Sequence, residues 1–204
     1  MDRRQAARRQ RLVLQLLPAV ERMLGEGEHY SQLSVERLIT EAAVSRTTFY
    51  RYFADKEELL AELSASAIGD IVTASEALWA LDDAAGYDDV AAAIDAIVRA
   101  FLPHTHVMAA VSEVAQYDVK VGRRFAAGFG AARAAATTAI ERGQAAGIVR
   151  PALHPDTTAA WLTWMAERGM AQLVAPATPA ERRQLVETLT SIIWFTLFDG
   201  FRSR

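Results

Sequence analysis

The chain has 204 residues, 51% of them hydrophobic, no cysteine and a formal net charge of -3. That length can bury a sizeable core in one large domain or in a small and a medium one, and the missing thiols exclude disulfides and thiolate metal sites and suit a reducing cytoplasm. No apolar run reaches the ~18 residues of a membrane helix, and the start, MDRRQAARRQR, lacks the apolar stretch of a signal peptide, so a cytoplasmic protein with no membrane partner is expected. The charge is unevenly spread: residues 1–56 carry 10 Lys+Arg against 7 Asp+Glu (+3), and residues 57–204 carry 12 against 18 (-6). A basic end joined to an acidic remainder is the footprint of a chain that meets phosphates at one end and does something else at the other.

Residues 3–11 hold Arg3, Arg4, Arg8, Arg9 and Arg11 with almost nothing apolar. They form a basic arm, read either as a solvated terminus or as one that neutralises phosphates or enters a minor groove. An apolar helical pattern then runs from Leu12 to Leu24 with Pro18 inside it. Either the helix proper starts near Leu17, with the proline in its first turn, or a longer helix is kinked there. Ser34 is a good N-cap for a helix from Val35 to Ala42, Ala43 and Val44 make a turn, and Ser45 caps a second helix from Arg46 to Tyr52. On that second helix Phe49 and Phe53 share a face with Val44 and should form the small core beneath. The opposite face offers Arg46, Thr47, Tyr50 and Arg51, and Thr48 can satisfy a first-turn N–H or contact a phosphate. Asp55 and Glu58 form a capping box whose helix starts at Lys56, placed with neighbouring N–H groups to hold a phosphate. This is the layout of a helix-turn-helix followed by a connecting helix, so DNA binding is expected.

The string Ser45, Arg46, Thr48, Phe49, Tyr50, Tyr52, Phe53, Lys56, Glu57, Leu59 resembles the TetR-family pattern of a short recognition helix ending in Y-x-Y/H-F, followed by an x-x-K-x-x-L helix start. The resemblance implies that Tyr50, Tyr52 and Lys56 contact backbone phosphates while Arg46 and Thr47 face base edges. Arginine there suits guanine, and threonine can donate, accept, or pack its methyl on thymine. Two departures stand out. Ala43 occupies a turn position where the family usually has glycine, at a cost of about 1 kcal/mol if the left-handed backbone is kept. The loop before Ser34 is one residue longer than usual, with His29 where glycine is common.

Beyond Leu60 every segment reads as helix, giving an all-α chain. The patterns predict helices over Leu59–Leu81, Val90–Leu102, Val107–Ala115 and residues 119–146, then one from Asp156 to about Val174 and a last one over 180–201. Thr178, Pro179 and Glu181 supply cap, first-turn proline and capping box to the last helix. It is apolar nearly all round, with Leu185, Leu189, Ile192 and Ile193 on one stripe and Val186, Trp194, Leu197, Phe198 and Phe201 on the other side. Such a helix is buried on more than one face. With the helix bearing Trp161, Trp164, Met165, Met170 and Leu173, it predicts a four-helix interface between two copies, which is how TetR-family proteins dimerise. The domains expected are therefore 1–56, a three-helix DNA-binding module with its basic arm (Arg3, Arg4, Arg8, Arg9), and 57–204, a helical ligand-binding and dimerisation domain.

The C-terminal segment is similar to the closing helices of the ethionamide-resistance type of TetR repressor, through Met165, Glu167, Arg168, Ile193, Trp194 and Thr196. That type has a long apolar tunnel with the tryptophan matching Trp194 in its wall. By default Phe101, Phe125, Phe129, Trp161, Trp164, Trp194 and Phe198 are core. The resemblance implies that they, with Met165, line a pocket for a small hydrophobic effector. Two asparagines that offer polar contacts in that type are Thr163 and Ala166 here, which argues against a shared ligand.

No catalytic, cofactor or metal site is expected. His104 and His106 at i,i+2 do not converge on a metal, Gly128 and Gly130 mimic only half a dinucleotide fingerprint, and Glu113 and Glu141 stand alone. The implied function is a homodimeric regulator, expected to be a repressor, that binds a palindromic double-stranded DNA operator and is released by its effector. One rival is a helical small-molecule binding protein or enzyme whose N-terminal helices only pack, which the charge split opposes. A second rival is a helix-turn-helix regulator without a ligand.

Overall fold

The structure, a computed structural model, describes residues 3–82 and 84–198. Among these residues all regular structure is helical: α1 (Arg3–Gly25), α2 (Val35–Glu41), α3 (Arg46–Tyr52), α4 (Lys56–Trp79), α5 (Tyr87–Phe101), α6 (Thr105–Val114), α7 (Val119–Ala145), α8 (Pro155–Gly169) and α9 (Pro179–Leu197). Short 3-10 turns at Tyr30–Gln32 and Leu102–His104 precede α2 and α6, and a π-turn over Met170–Val174 continues α8. No described helix is long and apolar enough to cross a membrane. The predicted continuation of α9 to Phe201 lies outside the described residues.

The chain forms two compact units, one of Met1–Ile68 with Pro103–Gly128 and one of Gly69–Leu102 with Phe129–Arg204. α4 begins at Lys56 and runs unbroken to Trp79. Both α4 and α7 contribute turns to each unit.

In the first unit α1 packs against α2 and α6. It buries Leu12, Val13, Leu16, Leu17, Val20 and Met23, a stripe at helical spacing. Of the two sequence readings of Pro18, the longer helix is the one formed: α1 starts at Arg3 and passes through the proline. The arginine run is thus the first turns of a helix. Arg9 turns inward from it, paired with Glu58 at 2.5 Å and Glu62 at 3.4 Å, its guanidinium 5.4 Å from the Phe53 ring centroid. Arg124 at the start of α7 reaches the same Glu62 at 2.6 Å. At the other end of α1 the Glu21 carboxylate accepts from the backbone N–H groups of His106 (3.1 Å) and Val107 (2.8 Å), two of the donors a helix N-terminus leaves unsatisfied, and so caps α6. Gly128 lets α7 lie close on α4, since a Cβ there would stand 2.8 Å from Ile68 Cδ1.

The second unit is built on Leu78, Val90, Ile94, Ile140, Leu162, Ile193 and Leu197, which form one apolar cluster. α5 and α9 make its main helix pair. α9 starts as the sequence predicts: Thr178 Oγ1 accepts from Glu181 N at 3.3 Å, Glu181 Oε2 accepts from Thr178 N at 2.7 Å, and Pro179 stands in the first turn. The Thr178 backbone N–H, and after it the Thr178 hydroxyl, hold the exposed Glu181 carboxyl below its ordinary value. The far end of α9 is closed by Arg150, whose backbone N–H donates to Leu197 O at 2.9 Å and whose guanidinium donates to Phe195 O at 3.0 Å.

Candidate nucleic-acid interface and small-molecule site

The α2–α3 pair is assembled by local chemistry. Ser34 Oγ accepts from Arg37 N at 3.2 Å and Ser45 Oγ from Thr48 N at 3.1 Å, so both helices have the predicted side-chain caps. Between them Ala43 has φ +52°, and Val44 N donates to Ile39 O at 2.8 Å. The left-handed turn that favours glycine is therefore kept with alanine in it. Phe49 and Phe53 are fully buried, ring centroids 5.4 Å apart, and anchor α3 from below.

The upper face of α3 presents Arg46, Thr47, Tyr50 and Arg51, all exposed. Tyr50 rests edge-on against Phe49 at 5.3 Å, which aims its hydroxyl outward from a fixed ring. Arg46 lies 5.4 Å from the Tyr50 ring centroid and pairs with Glu36 on α2. Thr48 is half-buried, its hydroxyl 2.7 Å from Ser45 Oγ. Tyr52 is half-buried at the end of α3 and shares a cleft with Arg51 and with Arg4, Gln5 and Arg8 of α1. Arg3 is exposed at the start of α1.

Lys56 is placed differently from the other expected phosphate contacts. Its Nζ donates to three backbone carbonyls, Tyr30 O at 3.0 Å, Ser31 O at 2.7 Å and Leu33 O at 2.9 Å. In return the buried Tyr30 hydroxyl donates to Lys56 O at 2.5 Å. Sequence reading missed Tyr30, because a lone tyrosine in a loop carries no periodic signal. The start of α4 is capped by Asp55 Oδ1, which accepts from Glu58 N at 2.7 Å, while Glu58 Oε2 reaches back to Ala54 N at 2.8 Å.

In the second unit a cavity of about 370 Å³ is walled by Leu78, Trp79, Leu81, Ile140, Val149 and Phe198, with Arg142 also at its lining. Of the residues expected to line a pocket, Phe198 alone lies here. Trp194 is wedged between Phe198 (5.7 Å) and Tyr87 (5.9 Å), the Tyr87 hydroxyl 2.8 Å from Ser191 Oγ. Phe129 stacks on Trp164 at 5.8 Å. Phe101 is buried, Met165 packs half-buried on the apolar cluster, and Phe125 is half-buried in the first unit. Trp161 and Trp164 are 75% and 54% exposed. They stand with Leu173, Ile192 and Phe195 as the large exposed apolar side chains of α8, its π-turn and α9.

Sequence reading passed over Arg142 and named Glu167 only within the resemblance, without placing it. Arg142 donates to Trp79 O, closing the end of α4 at the edge of the cavity. The Glu167 side chain is only 7% exposed, and among the described residues its Oε2 has no hydrogen-bond partner and pairs only with Arg168 Nε at 3.7 Å. Burial raises its carboxyl above the ordinary value and Arg168 offsets part of that. A single charge among apolar residues gives no pattern from which its burial could be read.

Two family models match this chain. Residues 23–63 match "Bacterial regulatory proteins, tetR family", and residues 90–199, more than half of the chain, match "Transcriptional regulator EthR, C-terminal domain". No curated protein matches. Among solved structures the chain is similar to a putative TetR-family transcriptional regulator from Mesorhizobium loti MAFF303099 (17% identity, 97% of this chain and 100% of the other, TM-score 0.68). It is also similar to GusR of Salmonella enterica (15%, 91% and 94%, TM-score 0.73) and to the TetR-family regulator PfmR of Thermus thermophilus (17%, 89% and 97%, TM-score 0.68). At these identities the structures show a shared fold, and the family rests on the two models together with the helix-turn-helix geometry above. The chain belongs to the TetR family of transcriptional regulators, with a helix-turn-helix DNA-binding module and a C-terminal domain of the EthR type.

Proposed function

We propose that the protein is a homodimeric repressor that binds a palindromic operator and is released by a small hydrophobic effector. The observation that carries the reading is the face of α3. Arg46, Thr47 and Tyr50 are exposed above a base of Phe49 and Phe53 and held in register by the Ser45 cap, so donors of fixed position project as a major-groove reader requires. In this reading Arg46 and Thr47 contact base edges, and Thr48, Tyr50, Tyr52, Lys56 and the arm residues Arg3, Arg4 and Arg8 serve the phosphates. Lys56 can do so only by releasing one of its three carbonyl partners. Arg9, grouped with the arm by sequence, is engaged with Glu58 and Glu62.

A dimer is supported by the apolar surface of α8 and α9, where two tryptophans and Phe195 are more than half exposed on one chain. Two copies present two recognition helices to the two halves of a palindrome. An effector is supported by the apolar cavity of the second unit, and Phe129, Trp164, Met165 and Trp194 remain proposed contacts through the resemblance to EthR-type domains. Effector binding then shifts the dimer toward a spacing of recognition helices that no longer matches the operator, provided the effector binds that state more tightly.

The test is a gel shift on duplexes selected from a random pool. Binding at low salt that is lost when Arg46→Ala and Tyr50→Ala are combined supports the reading. No binding at low salt, or binding indifferent to the double variant, overturns it.

A further inference from the structure

Glu167 is held where a carboxylate is costly. Its side chain is almost fully covered, its Oε2 is buried, and among the described residues that oxygen accepts no hydrogen bond. Arg168 Nε at 3.7 Å is beyond hydrogen-bond length and belongs to a side chain that is 67% exposed, so the pairing is worth little. Thr163, one turn earlier on α8, gives its hydroxyl to Ala159 O at 2.8 Å and does not serve Glu167. Burial without donors disfavours the charged form, which is the direction in which this carboxyl is shifted.

The helix register says which way Glu167 faces. Trp161, Trp164 and Arg168 recur three and four residues apart and are all exposed, so they mark the outer face of α8. Ala159, Thr163, Glu167 and Met170 recur at the same spacings on another face, with Ala159 and Met170 buried. Glu167 therefore points into its own unit and away from the surface offered to a second chain. Directly after it the helix widens into the π-turn Met170–Val174, which packs on α5 and α9. Such turns occur frequently at functional sites. An unpaired buried carboxylate beside an irregular turn breaks two local preferences at one place, as functional positions do.

The geometry points to Glu167 as the polar anchor of a binding site for an apolar molecule that carries one ammonium group. What the carboxylate lacks is a donor, while Ala159 and Met170 on the same face offer only apolar contact. An occupant that brings charged N–H groups on a hydrocarbon body answers both. The assignment rests on the effector reading above, in that this molecule is taken to be the effector, and it narrows a small hydrophobic compound to an amine. It stands apart from the cavity walled by Leu78 and Ile140, which Glu167 does not line.

The experiment compares probes of one shape, phenylbutylamine, phenylbutanol and phenylbutanoate, by isothermal titration calorimetry on the full-length protein at neutral pH. The amine is expected to bind on the order of ten- to a hundredfold more tightly than the alcohol, and the carboxylate more weakly than either. Glu167→Gln should keep the affinity for the alcohol and bring the amine down to it. Without a probe the same variant should raise Tm by about 2–4 °C, because an unpaired buried charge is removed. An amine preference that is absent, or unchanged in Glu167→Gln, overturns the proposal, as does failure of every probe to bind at millimolar concentration. A fall in Tm with loss of binding of all three probes marks the carboxylate as structural and overturns it too. A monomeric Glu167→Gln by light scattering would assign the carboxylate to a subunit contact instead. Anisotropy of a labelled, selected duplex keeps the two readings distinct. Release of DNA by the amine from wild type but not from Glu167→Gln supports both, whereas amine binding that leaves the duplex bound supports the anchor and overturns the effector reading.

Discussion

Tyr30 and Lys56 hold each other in both directions: the tyrosine hydroxyl donates to the lysine carbonyl at 2.5 Å, and the lysine ammonium donates to the tyrosine carbonyl at 3.0 Å. The exchange fastens the 3-10 turn before α2 to the first turn of α4, and with it the base on which α3 stands. Tyr30→Phe should lower stability by about 1–2 kcal/mol, measured by urea unfolding near neutral pH. Burial, helped by Glu57 and Asp55, holds the Tyr30 phenol well above its ordinary value. Its folded pKa thus exceeds its unfolded one, so its contribution is whole below about pH 10 and is lost as pH rises from there toward the folded value. Comparing urea midpoints at pH 8 and pH 11, the alkaline loss should be smaller in Tyr30→Phe than in wild type.

Ala43 sits at φ +52° in the turn between α2 and α3. Glycine there removes the left-handed penalty at the cost of a more flexible unfolded chain, and Ala43→Gly should gain roughly 0.5–1 kcal/mol. Calorimetry should show Tm rising by about 2 °C, with the affinity for duplex DNA little changed.

Glu58 joins α4 to both the preceding loop and α1. Its carboxyl is held below the ordinary range, first by the Ala54 N–H and then by Arg9. A depressed folded pKa contributes stability that is present above the unfolded value of about 4.3 and is lost as pH falls through the folded one. The stability gap between wild type and Glu58→Gln should therefore narrow on titration below about pH 4. Arg9→Gln should narrow the gap only in part, since the Ala54 bond remains.

Arg46 is paired with Glu36 through side chains that are 65% and 57% exposed. An exposed pair of this kind is worth only about 0.2–1 kcal/mol, so it delays rather than prevents the arginine's engagement with a base. Glu36→Gln should tighten duplex binding about 2- to 5-fold at low salt, and anisotropy should show the advantage fading as ionic strength rises.

The apolar surface of α8 and α9 predicts the oligomeric state. Trp161→Glu combined with Trp164→Glu should give a folded monomer by light scattering at micromolar concentration, with helical circular dichroism retained, because neither side chain lies in the core of its own chain. A stable dimer in the double variant would place the interface elsewhere.

The module from Ser34 to Glu58 was the most legible part of the chain. Its helix starts depend on caps three residues away, and the predicted caps at Ser34, Ser45 and Asp55 are all present, as is that of α9 at Thr178. The inward side of α3 was equally plain, because Phe49 and Phe53 are four apart and both must leave water. Pro18 was ambiguous for a physical reason: a proline costs one intrahelical bond wherever it stands, and only the packing of Leu12, Val13 and Leu16 below it makes the earlier turns worth forming. The ligand-site residues were the least legible. Aromatic side chains at helical spacing are apolar whether they face a core, a cavity or a second subunit, so Trp161 on the surface and Phe198 at the cavity looked alike.

By itself the sequence determined the all-α class, the helix-turn-helix and its capped starts, and the concentration of positive charge at one end, since all of these follow from neighbours within about one helical turn. Tertiary structure alone decided where the long cations go. Arg9 meets carboxylates some fifty residues away, Lys56 turns back onto three carbonyls, and Arg8 and Arg51 are brought around one cleft that, among the described residues, no carboxylate lines. A flexible charged side chain carries no local preference strong enough to choose its partner. The choice is made by which acceptors the packed helices bring within reach.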